Sequence, residues 1–573
     1  MDYKEIYNTW LESEYIKSED KNELVSIKNN EQEIKDRFYK ELEFGTGGLR
    51  GVIGIGTNRI NVYNIKKTTQ GLANYLIKAD VGNCAKGIAI AYDSRHYSKE
   101  FAKQAALVLA GNGIKAYLFE SLRPTPELSF AVRHLKCAGG IVITASHNPP
   151  EYNGYKVYNA DGGQVTLECA HEIMSEIDNI NNWSEIKYAD QPIAASSGLL
   201  QTIGADIDVK YINKIIEFVS TKKLADNEKD LCIVYTPLHG TGLMPVTECL
   251  KDLGYSNLHI VEEQAEPDGS FPTVASPNPE EHAAFKMGIE KAKKLNADII
   301  LGTDPDSDRV GVAVKNGQGE YTVLTGNQVG TLLVDYIVKS SSEISEKSAV
   351  IKTIVTSDLG AKIARENGAT VFDTLTGFKF IGEKIKEFEK NSTYDFLFGY
   401  EESYGYLAGT FVRDKDAVIS CCLIAAMASY YKSNNATLFD ALDGLYRKYG
   451  YYKDALVTYE IWGSDGQEKI KKIMQKCRDA ADVFTVYKDL LYLEDYLQSI
   501  VVTHDGSIKS NLELPKSEVV KLIFNTGSWI AIRPSGTEPK LKIYYSCIGN
   551  DPSEADKAFQ RLKINIEKFI FGD

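Results

Sequence analysis

Long apolar runs are missing from this 573-residue chain. The most apolar helix candidate, Ala417 to Tyr431, is interrupted by Ser420 and Ser429. It falls short of the roughly 18–20 apolar residues that a bilayer span needs, so it reads as a helix buried inside a domain. The opening MDYKEIYNTWLESEY is acidic and has no apolar core of a secretory signal. Cysteine is sparse: nine residues, odd in number and scattered, do not make a disulfide framework in a chain this long. Reduced thiols and a cytoplasmic location are expected, and the neighbours Cys421 and Cys422 read as packing. Positive charge is in deficit. A net charge of −14 argues against nucleic-acid and anionic-membrane partners, yet a local cationic pocket still admits an anionic small molecule. The phosphate-loop signature G-x-x-x-x-G-K-S/T is absent, which removes support for ATP-loop chemistry.

What is present is ordinary globular composition, 43% hydrophobic and 25% charged, at a length that implies about three to five domains. Helical and strand-like segments alternate over the first 440 or so residues. Ile34, Phe38 and Leu42 share one helix face. Gly87 to Tyr92 is a short apolar strand, Phe101 to Leu109 an amphipathic helix closed by Gly111 and Gly113, and Ile114 to Phe119 another strand. The pattern restarts at Leu231 to Tyr235 and again at Val350 to Val355. Three similar α/β domains with mixed, mostly parallel sheets are expected, followed by a smaller α+β C-terminal domain. That last unit has a charged helical stretch, Glu468 to Asp482, and strands near Ser528 to Ile532 and Leu541 to Tyr544. Polar linkers are read at Ala194 to Gly198 and near Ser433 to Ala436. The boundaries are set at 1–205, 206–318, 319–445 and 446–573.

Each block ends in a polar loop at a strand terminus, where open α/β sheets bind ligands. The first is Ile141 to Pro150, IVITASHNPP, which delivers Ser146 to a sharp turn. Thr144 and Asn148 stand where a G-x-S-x-G elbow needs glycine, which argues against an α/β-hydrolase elbow. Successive side chains diverge, so a Ser146–His147 dyad is not expected; His147 is left to contact substrate. The second is Thr303 to Arg309. Asp304, Asp306 and Asp308 alternate in a tight loop, as carboxylates converging on a hard divalent cation do. An EF-hand fails, because Arg309 replaces its glycine and Lys315 its bidentate Glu. As isolated features these are a turn serine and a solvated acidic turn. Together they suggest phosphoryl transfer from a hydroxyl beside Mg2+.

Other candidates follow. Lys156, soon after the serine turn, is placed to neutralise phosphate or hold a proton. Gly399 to Gly405 supplies Glu401 and Ser403, groups suited to sugar hydroxyls. Arg413-Asp414-Lys415-Asp416 is read as a phosphate-neutralising loop. Arg533 to Lys540 offers Arg533, Ser535, Gly536 and Thr537 as a phosphate cradle. Phe44 to Gly51 is glycine-dense, with Arg50 where a dinucleotide fingerprint needs glycine.

These motifs, in this order over essentially the whole chain, resemble the α-D-phosphohexomutase family of phosphoglucomutases and phosphomannomutases. Thr144 to Pro149 resembles its phosphoserine loop, Asp304 to Arg309 its metal loop, Gly399 to Gly405 its sugar loop and Arg533 to Thr537 its phosphate loop. Thr374 to Lys379 is similar to the sugar-specificity loop of glucose-type members, which brings in Thr376, Gly377 and Lys379. The length and the sequence around Gly45 to Gly48 resemble the bacterial phosphoglucomutase and vertebrate phosphopentomutase branch. The resemblance implies four domains around a deep central cleft. It implies Ser146 as phosphoryl carrier, and Mg2+ held by Asp304, Asp306, Asp308 and the phosphoserine. It further implies Arg50, His147, Lys156, Arg309 and Lys415 around the reacting phosphate. The expected reaction is interconversion of α-D-glucose 1-phosphate and glucose 6-phosphate through glucose 1,6-bisphosphate, by a monomer or homodimer. The alternatives are a pentose or mannose phosphate as substrate, a metal-dependent phosphatase, and a sugar-phosphate-binding protein with an inert serine.

Overall fold

Strands form where the sequence strings apolar residues together without charge. Ile88–Tyr92 and Gly139–Ile143 are buried at every position, as parallel strands covered on both faces must be. They lie side by side in a six-stranded sheet. Ala116–Phe119 and Leu200–Ile203 continue it in parallel on one side. Tyr152–Asn159 and Gly48–Val52 close it antiparallel on the other. The computed structural model describes residues 2–45, 47–222, 224, 230–461, 466–535 and 540–572.

In the second sheet Ile233–Thr236 lies between Ile299–Thr303 and Leu258–Ile260, all parallel. Val310–Lys315 and Tyr321–Leu324 then turn back antiparallel. In the third, Ser348–Thr353 runs parallel between Thr370–Thr374 and Asp395–Tyr400, with Tyr406–Leu407 antiparallel at the edge. The C-terminal sheet has seven strands, all antiparallel, and the helices Gly466–Arg478 and Pro552–Phe571 pack on it. Three α/β units and an α+β unit are what the alternation of segments implied. One apolar core runs from Ala89 in the first sheet through Tyr235 in the second to Ile351 in the third and Leu423 in a helix of the third unit. The helix Ala417–Ser433, buried from Ala417 through Ser429, sits in that core. No helix among the described residues is long and apolar enough to cross a membrane.

Several expected boundaries move. The helix Glu31–Phe38 stops before Leu42, whose amide is taken by the Thr57 carbonyl at 2.8 Å. Residues 194–198 are not a linker. Asp190 caps a short helix, Gln191–Ser196, and Ala194 is buried against Leu107 and Ala110. The chain then adds the strand Leu200–Ile203 to the first sheet. Residues 433–436 are a turn inside the third unit, because Thr437 and Asp440 form a capping box that starts the next helix, Leu438–Tyr449. The charged stretch 468–482 breaks in two, since Asp479 caps a second helix, Ala480–Val486. Finally, Ile354 and Val355 outlast their strand. They pack with Leu375 against Tyr496, Trp529 and Tyr544 of the C-terminal unit.

Candidate active site

The strand Gly139–Ile143 ends in a turn that places Ser146 in the left-handed region at φ 53°. Such a backbone is costly for a residue with a Cβ and persists only where surrounding bonds impose it. Here the Thr144 hydroxyl accepts the Ser146 amide at 2.8 Å. Buried Arg95 holds the outside of the turn. Its guanidinium donates to the carbonyls of Ser146 and Pro149 at 2.7 Å each, to Tyr152 at 3.0 Å, and to Asn148. The Ser146 hydroxyl donates to Asp304 Oδ2 at 2.8 Å, and His147 Nδ1 lies 3.1 Å from Ser146 Oγ. The expectation that the two neighbours diverge is thus corrected: the left-handed turn folds the imidazole back over the hydroxyl. Burial, then the charges of Arg309 and Arg50, push His147 well below the usual histidine range.

Asp304 follows the strand Ile299–Thr303 and its Oδ1 accepts the amides of Asp308 and Arg309, each at 3.0 Å. This folds the loop so that carboxylate oxygens of Asp304, Asp306 and Asp308 lie within 4.8 Å of one another, all buried. Asp306 Oδ2 accepts from the Thr125 hydroxyl at 2.9 Å and from Lys156 at 3.0 Å. Asp308 Oδ2 meets Lys415 at 3.1 Å and Lys156 at 3.6 Å. Burial works to raise the Asp308 carboxyl, but Lys415, Lys156 and Arg309 overcome it and hold the group below the ordinary range. Burial and the two neighbouring aspartates raise Asp304. Asp306 Oδ1 and Asp308 Oδ1 are buried without a hydrogen-bond partner. Orphaned carboxylate oxygens beside a third carboxylate and a hydroxyl form a donor set that suits a hard divalent cation.

The third unit completes this cluster through Lys415 and ties its loop down. The Ala417 amide donates to the Ser307 carbonyl at 3.1 Å. Arg413 does not join it. It is wholly buried and pairs with Glu389, while Asp414 and Asp416 accept from Tyr158 and Tyr211 at 2.8 Å each. Of the proposed phosphate loop at 413–416, only Lys415 therefore reaches the cluster. Arg309 pairs with Glu280, and Arg50 donates to the Asn148 side chain at 3.2 Å. Glu401 Oε1 accepts the Gly377 amide at 2.8 Å, at a φ of 118° that favours glycine. That bond joins the 374–379 loop to the sugar-loop candidate. Ser403 and Thr376 are half-buried, the Thr376 hydroxyl without a partner, and Lys379 is buried in the helix Phe378–Asn391. Arg533 and Ser535 are half-buried at the end of Trp529–Pro534. Gly536 and Thr537, like Thr46, lie outside the described residues.

Sequence reasoning missed Arg95, Thr125 and Lys542. Lys542 stands directly opposite Arg533 in the antiparallel ladder and so shares its face. Burial, then the charge of Arg533, lowers it below the ordinary lysine range. An Asp-Ser-Arg directly after a fully apolar strand, and a Thr-Pro at a helix start, were the signals for the other two.

The chain is also similar to known proteins. The chain matches the alpha/beta/alpha domains I, II and III of phosphoglucomutase/phosphomannomutase over residues 41–183, 209–318 and 325–449, and their C-terminal domain over 468–560. It belongs to the phosphoglucomutase/phosphomannomutase family and is an intramolecular phosphotransferase. A phosphoglucomutase of Staphylococcus haemolyticus is 40% identical over 539 residues, covering 94% of each chain. One from Staphylococcus aureus is 40% identical over 90% of this chain and 91% of its own. The fold is shared with Paramecium pp63/parafusin in its open form (TM-score 0.69, 18% identity, 93% and 95% coverage). It is shared too with a Burkholderia thailandensis family protein (TM-score 0.67, 17% identity, 93% and 98% coverage).

Proposed function

We propose that the chain interconverts α-D-glucose 1-phosphate and glucose 6-phosphate through phospho-Ser146 and glucose 1,6-bisphosphate. The observation that carries this reading is the Ser146 hydroxyl, 2.8 Å from Asp304 in a buried carboxylate cluster flanked by Lys156 and Lys415. Asp304, Asp306 and Asp308 would hold Mg2+ beside Ser146. The bound ion supplies charge that offsets the negative oxygens of the transferring group.

In the forward half-reaction the Oγ–P bond of phospho-Ser146 breaks and a bond forms from phosphorus to the free hydroxyl of the sugar monophosphate. The net exchange leaves the hydroxyl proton on Ser146 Oγ. Lys156, Lys415, Arg309 and Arg50 neutralise the group in flight, and His147 lies against the serine. Glu401 and Ser403 accept and donate to sugar hydroxyls, with Thr376, Gly377 and Lys379 shaping the sugar's surroundings. The bisphosphate turns over in the cleft and its other phosphate returns to Ser146. Throughout, Arg533, Ser535, Gly536 and Thr537 hold the phosphate that is not reacting. Residues 1–205 thus carry the serine, 206–318 the metal loop, 319–445 the sugar loop and 446–573 the phosphate cradle, all inside the cytoplasm.

The test is initial rate on glucose 1-phosphate, ribose 1-phosphate and mannose 1-phosphate, each with Mg2+ and a trace of the matching bisphosphate. Glucose is expected to lead by about ten-fold or more in kcat/KM, about 1.4 kcal/mol of transition-state preference. The phosphoglucomutase relatives favour this outcome. A leading pentose would keep the machinery and change the sugar. Release of free phosphate without a bisphosphate primer would make the chain a phosphatase.

A further inference from the structure

The sequence motifs leave unexplained a fully buried ion pair behind the serine turn. Asp93 and Arg95 both have side chains at 0% exposure, and Arg95 Nε lies 3.4 Å from Asp93 Oδ2. Asp93 is itself fixed. Its Oδ1 accepts the Ser98 hydroxyl at 2.7 Å and the Arg95 amide at 2.9 Å. The rest of the guanidinium is spent on the loop, bonding the carbonyls of Ser146, Asn148, Pro149 and Tyr152. Its face lies 5.0 Å from the centre of the Phe271 ring, on a loop of the second unit. That loop also presses on the Asp-Ser-Arg turn, because a Cβ on Gly269 would come within 2.5 Å of the His96 amide nitrogen.

A buried ion pair is poor evidence of stability, since desolvation cancels much of its attraction. What a planar five-donor fork does well is hold several acceptors in fixed relative positions. Four carbonyls on one side chain impose the left-handed turn at Ser146, and through it the aim of the hydroxyl at Asp304. We propose that Arg95, anchored by Asp93 and capped by Phe271, is the positioning residue that holds Ser146 in line for phosphoryl transfer. The proposal rests on the reading of Ser146 as the phosphoryl carrier.

The experiment separates aim from folding. Enzyme is labelled from radioactive glucose 1,6-bisphosphate, and the labelled fraction counts the competent protein. Transfer of the label to glucose 1-phosphate and its loss to water are then timed in single turnovers. Arg95→Lys keeps the charge but offers one nitrogen where the fork had three. Transfer per labelled molecule is expected to slow about 100-fold, the effect of a misplacement near 1 Å. Loss to water, which needs no aligned sugar hydroxyl, is expected to stay within about three-fold. Equal changes in both rates, or transfer unchanged per labelled molecule, would overturn the proposal. If Arg95→Lys does not fold, Asp93→Asn decides by the same two rates, with transfer slowed about ten-fold expected from a loosened anchor. Wild type that takes no label overturns the phosphoserine reading and this proposal with it. Labelled wild type beside a variant with normal transfer overturns this proposal alone.

Discussion

Thr125 tests the metal reading from outside the carboxylate cluster. It opens the helix Thr125–His134 in the first unit, is fully buried, and reaches across to the second. Its amide bonds the Asp306 carbonyl and its hydroxyl bonds Asp306 Oδ2, both at 2.9 Å. Thr125→Val keeps the shape and the amide bond and removes only the hydroxyl. A hydrogen bond to a charged group is worth about 1.5–3 kcal/mol. Lys156 still bonds the same oxygen at 3.0 Å, so the low end applies, with about 1.4 kcal/mol corresponding to ten-fold in affinity. That matches the ten- to hundred-fold range for partners that orient metal ligands. The Mg2+ concentration giving half-maximal activity in a coupled assay is therefore expected to rise about ten-fold or more. Calorimetric Mg2+ binding should weaken in step, and Thr125→Ser should restore both. A midpoint for Thr125→Val within about three-fold of wild type, by both methods, would show that Asp306 and its Thr125 bond do not hold the cation.

Other outcomes follow from the same geometry. Ser146→Ala should lose at least about 1,000-fold in kcat and take no phosphoryl label, while still binding sugar phosphate by calorimetry; near-normal turnover would remove the nucleophile assignment. Gly240→Ala would set a Cβ 2.4 Å from Pro305 Cα, a backbone atom that cannot swing away. About 1–3 kcal/mol of destabilisation is expected, and an unchanged thermal midpoint would refute the close packing of the aspartate loop. Burial pushes the Glu401 carboxyl up from 4.5 to about 7. Between those values the unfolded chain gives up a proton that the folded chain keeps, so this group's contribution is full at low pH and is lost as pH rises through about 7. Denaturant midpoints of wild type and Glu401→Gln should thus diverge from pH 4.5 to 8, the wild type losing ground. Parallel curves would show that Glu401 is not held protonated.

Much of this was legible because the chemistry sits at strand ends. GIAIAY and GGIVI announce themselves as buried strands, and the polar loops after such strands are where ligands bind. The alternating aspartates after Thr303 pointed to a converging carboxylate cluster for the same reason, and that cluster is present. Partners whose role depends on the tertiary path were illegible. Arg95 lies 51 residues before Ser146, and Thr125 lies 181 residues before Asp306. No local spacing encodes those meetings. The opposite error came from composition. Ala194 to Gly198 is small and polar, like a linker, yet Asp190 caps it into a helix and Leu107 and Ala110 bury its alanine. Arg413 looked like a free cation because a charged run says nothing of which member turns inward. His147 was misjudged because the left-handed backbone of Ser146 cannot be read from its neighbours.

The carboxylate cluster draws its cations from opposite directions along the chain: Lys156 precedes the aspartates and Lys415 follows them. While the chain is still being made, the aspartate loop emerges with one ammonium already formed and the other more than a hundred residues from existing. A ribosome-bound chain halted before residue 415 would hold Ser146 against an under-compensated patch of negative charge, a poor acceptor for a phosphoryl group. On the proposed reading of Ser146 as phosphoryl carrier, its phosphorylation would wait until Lys415 has left the exit tunnel.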